Sequence, residues 1–345
     1  MMLHGRRHAR GMTMVELMVA MVMGLFLISG AVALLIASKR SYTESERYAR
    51  MGENGRFALQ VLSMDLRHAG FFGEAAPPGI VRDAGLDDIP AAEDCDEPAR
   101  AGVYGDAAAP DDNGVGLFLF VARADAGGDA IGCIDDAVPG SDVVVIKSVR
   151  PRPLSDGVRD EPSDDDGTID EPEGLDDETT YVISNAINGV LFDGADAAPS
   201  IITGGDVPGG NAWEYRYQAY YIRAGEVPQL SRKVIRWNGA RMAVVTEDVV
   251  DGIENLRLMI GEDSDDDGEV DRYRDSADPD TDWDRVQAME IHMLVRSLDQ
   301  TPGAPDERTY NLGNDALTPG GPFRRTVVSG VVSVRNAKLL IRGNI

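Results

Sequence analysis

The sequence is poor in cysteine, lysine and histidine, and each shortage excludes something. Two cysteines, Cys95 and Cys133, with no histidine nearby, leave no ligand set for zinc. The histidines are His4, His8, His68 and His292, and only His292 falls in the globular part. One imidazole on the polar face of a strand is a thin basis for an active site. The Gly-x-Ser-x-Gly elbow, the P-loop and the zincin motif are all absent. Lysine is confined to Lys39, Lys147, Lys233 and Lys338, and 33 Lys+Arg face 59 Asp+Glu for a formal net charge of −26. A pI near 4.4 excludes nucleic acid as a partner, because phosphate recognition needs clustered cations. Charge alone does not make the chain disordered, since 43% of its residues are hydrophobic, enough for a sizeable core. The acid has two competing explanations, surface solvation and cation-binding loops.

What is present begins at the N-terminus. Residues 1–11 are polar and basic, with Arg6, Arg7 and Arg10, and no charge occurs from Leu17 to Ser38. That run is long enough to cross a hydrocarbon core of about 30 Å as a helix. The basic leader predicts that residues 1–11 stay cytoplasmic and that the chain beyond Lys39 lies outside. Glu16 heads the apolar run, where an ionised carboxylate is costly and therefore marks a partner and a purpose. An uncleaved signal anchor fits these facts. So does a secretory signal peptide cut after Ala31-Val32-Ala33, and so does a leader cut after Gly11.

The third reading carries a resemblance. Gly11-Met12-Thr13-Met14-Val15-Glu16-Leu17 resembles the type IV prepilin signature, with Gly before the cut, an apolar first residue, then Thr and Glu. The departure is Met12 where Phe is usual. The resemblance implies that a prepilin peptidase cleaves between Gly11 and Met12 and that Met12 is N-methylated. It also implies that Glu16, beside Thr13, sets the assembly register by attracting the Met12 amine of a neighbouring subunit. A carboxylate inside an apolar bundle needs such a counter-charge.

From Lys39 to Ala69 there is no proline, and Met51, Ala58, Leu62, Leu66 and Ala69 follow the helical period, with Gly70 as a stop. One helix therefore spans both an apolar half, 12–38, and an amphipathic half, 39–70. Beyond residue 71 the pattern becomes period two between Gly/Pro/Asp clusters. Strands are expected at 115–122, 143–149, 179–184, 213–223, 229–237, 242–246, 253–260, 286–297, 324–335 and 337–342. Variable loops are expected at 74–113 and 151–178. The fold class is α+β and pilin-like, a long N-terminal helix packed on a β-rich head spanning 71–345.

Further blocks are similar to the PilW-type minor pilins of the type IV pilus. They are Glu53 to Leu59 with Asp65-Leu66-Arg67 and Ala69-Gly70-Phe71, then Tyr220-Tyr221-Ile222, Val250 to Leu256, the acidic loop Asp263 to Asp271, Leu294 to Ser297, and Val334-Arg335-Asn336. This resemblance implies an assembly protein rather than an enzyme. It would prime polymerisation at or near the tip, with the major pilin, other minor pilins and a tip adhesin as partners. It would be held in inner-membrane lipid, head in the periplasm, before assembly, and on the cell-surface pilus afterwards. Secretion pseudopilins share the N-terminal signature and are the alternative, and a membrane-anchored calcium-binding enzyme or binding protein is a third.

Asp263, Asp265, Asp267, Glu269 and Asp271 alternate along one short segment with Gly268 between them. Odd-position carboxylates on a tight turn converge on one point, the pattern of a Ca2+ loop, with the Glu269 carbonyl as a further ligand. Arg274 stands where an EF-hand requires Glu, so an EF-hand is not expected, and a solvated hairpin tip is the plain alternative. A weaker copy runs from Glu161 to Asp170. Cys95 and Cys133 lie in the exported part, where two cysteines most simply form one disulfide. Its closure contributes roughly 3–4 kcal/mol by loop entropy.

Overall fold

The uninterrupted helical pattern becomes one α-helix, α1, over Met14–His68, 55 residues long. The computed structural model describes residues 12–75, 80–82, 118–156, 167–169, 174–240, 242–278, 280–301, 305–334 and 336. Gly70 ends the helix with φ +74° and donates its N–H to the Lys147 carbonyl at 3.0 Å. A Cβ there would sit 2.7 Å from the Phe118 ring, so both conformation and space require glycine.

The chain divides into two units, Met1–Arg50 and Met51–Ile345. Within the first, the apolar window of α1 has no buried residue, and Phe26, Leu27 and Leu34 are exposed. It is long and apolar enough to cross a membrane. In the second, Met51, Gly55, Ala58, Leu62 and Leu66 form one buried stripe at helical spacing. Each fully buried leucine contributes roughly 1.5–3 kcal/mol.

Among the described residues, fourteen strands follow. An eight-stranded sheet contains β1 (Ile80–Arg82), β5 (Gly189–Asp193), β4 (Thr180–Ser184), β6 (Asn211–Arg223), β3 (Asp142–Leu154) and β2 (Leu119–Arg123), in that spatial order. β7 (Gln229–Trp237) also pairs with β6, and β8 (Met242–Asp251) pairs with β7. A four-stranded sheet runs β10 (Arg272–Asp275), β9 (Ile253–Glu262), β11 (Val286–Arg296), β14 (Arg325–Ser333). β12 (Tyr310–Leu312) and β13 (Asp315–Leu317) form a hairpin. Met289, Ile291, Met293 and Val295 are buried along one face of β11, as their alternation predicts. Gly55 of α1 packs against this sheet, since a Cβ on it would meet Val295 and Val328. The result is the expected α+β class, a long N-terminal helix with a β-rich head of mainly antiparallel sheets.

Three differences from the pattern reading have physical causes. β3 continues to Leu154, into the expected loop 151–178, through Pro151 and Pro153. Its pairing with β6 is irregular between Val149 and Pro153, which lets the ladder omit the missing proline donors. Ile80–Arg82, inside the expected loop 74–113, forms β1 by pairing in parallel with β5. β5, β10, β12 and β13 are too short to show a period. The expected strand 337–342 and the leader 1–11 lie outside the described residues.

Candidate functional site

Among the described residues, three polar clusters bear on the expected site residues or on α1, and the first is the head of α1. Thr13 precedes the first helical residue, and its N–H and hydroxyl both donate to Glu16 Oε2 at 2.9 Å. In return Glu16 N–H donates to Thr13 Oγ1 at 3.3 Å. This is a reciprocal capping box, which typically contributes about 1 kcal/mol to a helix start. The signal was legible in Thr13-x-x-Glu16 but was overshadowed by the cost of a carboxylate in lipid. Both bonds use Oε2, so among the described residues Oε1 has no partner. Met12 is exposed and Gly11 lies outside the described residues.

The second place fastens the rear half of α1. Asp65 is 3% exposed, on the same stripe as Leu62 and Leu66. Tyr220 Oη donates to its Oδ2 at 2.5 Å, and Arg216 Nη2 lies 3.4 Å from Oδ1. With its amide turned to satisfy both ends, Gln218 donates to Asp65 Oδ2 at 2.5 Å and accepts from Arg216 at 2.6 Å. Arg232 donates to Tyr220 Oη at 3.1 Å. Burial first, and then the Asp65 charge, push the Tyr220 phenol above its ordinary range, so it stays a donor. Sequence reasoning missed this network. The available signal was a lone Asp between core leucines, which a buried helix face admits only with partners.

The third place is the turn between β9 and β10. Glu262, 1% exposed, accepts from Arg272 (2.7 Å), Arg274 (2.9 Å) and the Asp282 N–H (2.9 Å). Burial raises its pKa, but these donors outweigh it and hold the carboxyl below its usual value. Arg274, at the position where an EF-hand would need a ligand, thus anchors the strand end instead. Asp263 N–H donates to the Arg285 carbonyl at 3.0 Å, and Asp271 N–H to the Glu262 carbonyl at 2.9 Å. Asp263 Oδ2 accepts from Gly268 N–H across the turn at 2.7 Å. Asp266 takes φ +63° and Gly268 φ +92°. The Ser264 hydroxyl and N–H hold the Asp271 carboxyl below its usual value. Asp263, Asp265 and Asp267 each bring one oxygen to within 4.8 Å of the others. Glu269 accepts nothing in this cluster but donates its N–H to Asp267 at 2.8 Å.

The remaining candidates are dispersed. Cys133 packs half-buried against the core, while Cys95 and therefore the expected pairing lie outside the described residues. Of the weaker acidic copy, only Gly167 to Ile169 are described. His292 Nε2 sits 3.2 Å from Glu290 on its own strand, and its cross-strand partners are Ser329 of β14 and Arg257 of β9.

Two family models match the chain. The type IV pilus-assembly protein W family matches residues 219–336, from β6 through β14 and including the acidic turn. The prokaryotic N-terminal methylation motif matches residues 6–32, including Gly11, Met12 and Glu16. The resemblance noted over Glu53 to Phe71 falls between the two matches. No curated protein and no solved structure is significantly similar to the chain. A methylation motif opening an apolar helix, with a PilW match across the later strands of the head, supports a PilW-type, prepilin-like minor pilin.

Proposed function

We propose that the chain primes polymerisation of a type IV pilus and sits at or near the fibre tip. The observation that carries this reading is the front half of α1, an apolar surface with none of its window buried by its own chain. Such a surface needs lipid before assembly and neighbouring helices after it. The prepilin peptidase removes residues 1–11 and methylates Met12. The anchored head then faces the periplasm and later the cell surface. Partners are the major pilin, other minor pilins and a tip adhesin, and the role is structural rather than catalytic. Glu16 Oε1, left free by the capping box, is the atom that meets a neighbour's Met12 amine. Cys95 and Cys133 form a disulfide in the exported head.

Glu16→Gln separates the two roles of the carboxylate, because glutamine also serves in a capping box. In a deletion strain, Glu16→Gln is expected to be cleaved and methylated normally, by mass spectrometry of Met12, yet to lose pili in electron micrographs. Wild-type pilus counts would reduce Glu16 to a helix cap. Intact pili in the deletion strain with lost protein secretion would move the chain to a secretion pseudopilus. Non-reducing peptide mapping checks the disulfide.

A further inference from the structure

Among the described residues, the fully buried acids of the head accept donors on both carboxylate oxygens, with one exception. Asp142 takes Arg123 (2.9 Å), Ser276 (2.7 Å) and the Leu258 N–H (2.8 Å). Asp306 takes Arg308 (2.8 Å) and Tyr310 (2.6 Å). Asp65 and Glu262 are supplied as described above. Asp263 is buried to a similar depth, at 1% exposed. Its Oδ2 is held by Gly268, but its Oδ1 is buried with no partner. A buried charged oxygen left unpaired costs several times what a hydrogen bond returns. The nearest guanidiniums are engaged elsewhere. Arg272 and Arg274 bind Glu262, and Arg285 binds the Ser264 carbonyl and pairs with Asp282 and Asp266.

We propose that the β9–β10 turn is a calcium site in which Asp263 Oδ1 is the inner ligand and Asp265 and Asp267 are the outer ones. The bond from Gly268 to Oδ2 fixes the Asp263 carboxylate, and its other oxygen remains for an ion. Two oxygens bound to one calcium at about 2.4 Å can be at most about 4.8 Å apart. One carboxylate oxygen from each of the three aspartates meets that limit. Asp265 and Asp267 are exposed, so an ion can enter from solvent. The Glu269 carbonyl and the second Asp271 oxygen are the next donors along the turn, and water completes the shell. The ligands are all oxygens, which excludes a preference for zinc or copper. A flexible turn with one buried and several mobile carboxylates suits calcium better than magnesium, which demands near-ideal octahedral geometry. Without a bidentate twelfth-position Glu, affinity should be that of extracellular modules, about 10⁻⁴–10⁻³ M. The proposal rests on the turn alone and is independent of the pilus reading.

Thermal unfolding of the full chain in detergent micelles, with calcium, magnesium or chelator, tests it. Calcium at about 10 mM is expected to raise Tm saturably by roughly 2–6 °C over chelator, with magnesium giving less. Asp263→Asn should abolish the calcium shift. Because that variant alters a buried residue, Asp265→Asn/Asp267→Asn, changed only at exposed positions, is the second test and should also lose it. No shift in the wild type would overturn the site. So would a calcium shift that survives in the exposed double variant, or an equal magnesium shift, since either would be general screening of the acidic surface.

Discussion

The two halves of α1 are made of similar residues and meet opposite fates. Leu25, Phe26 and Leu34 in the front half are exposed, while Leu62, Leu66 and Ala58 in the rear half are fully buried. Hydrophobicity therefore does not distinguish a helix that will anchor and assemble from one that belongs to a core. The polar residues do. The front half is uncharged from Leu17 to Ser38, so it has no solvated face and is suited to lipid or other helices. The rear half carries charged residues among its exposed positions, and the acid among its buried residues, Asp65, is matched by Tyr220 and Arg216 from β6.

The sharpest way to break this comparison is at Asp65. Asp65→Ala would leave Arg216 and Tyr220 facing an apolar gap. We expect a loss of about 3 kcal/mol, the low end for a broken buried pair, because both arginines bound to it keep some contact with water. Urea unfolding of the full chain in micelles reads it, and unchanged stability would mean that α1 is held by its leucines alone. A smaller effect should come from glycine. At Gly55 a new Cβ would approach Val328 Cγ2 to 2.7 Å and Val295 Cγ2 to 2.9 Å, whereas at Gly24 it would meet nothing within 4 Å. Overpacking costs about 1–3 kcal/mol against about 1 gained from helix propensity. Gly55→Ala should therefore lower Tm, and Gly24→Ala should not. Equal effects would remove the distinction between the halves.

Acid should act on the head and spare the front half. The Arg308 guanidinium holds Asp306 well below the ordinary carboxylate range, aided by Tyr310 and opposed by burial. A depressed pKa contributes stability that is complete above the unfolded value, about 4, and is lost as pH falls toward the folded one. Tm should thus decline below about pH 4, and Asp306→Asn should flatten that decline. An unaltered pH profile in the variant would assign acid sensitivity to other carboxylates.

Legibility followed the same division. α1 was readable to within two residues of each end, because a long apolar run and a terminal glycine point one way. β7 came out as expected at Gln229–Trp237, and β9 and β11 nearly so. β1 could not be foreseen, since three residues pairing in parallel with a distant strand carry no local signal. The acidic turn was recognisable as a pattern, but carboxylates in alternation do not distinguish a solvated tip from a ligand set. That distinction rests on the burial of Asp263 and the unpartnered Oδ1.

The sequence by itself determined the prepilin-like organisation of the N-terminus and the pilin-like fold class. A basic leader, Gly11-Met12, Glu16 and an uncharged helix are local features whose meaning does not depend on distant contacts. Tertiary structure alone decided which acids are matched by partners and which keep an unpartnered oxygen. Asp65, Asp142 and Glu262 are neutralised by arginines from other strands, while Asp263 is brought to the same depth with one oxygen unpaired. Asp65 and Asp142 meet arginines far along the chain, and burial is set by the packing of the whole head, so residue order alone does not separate these acids.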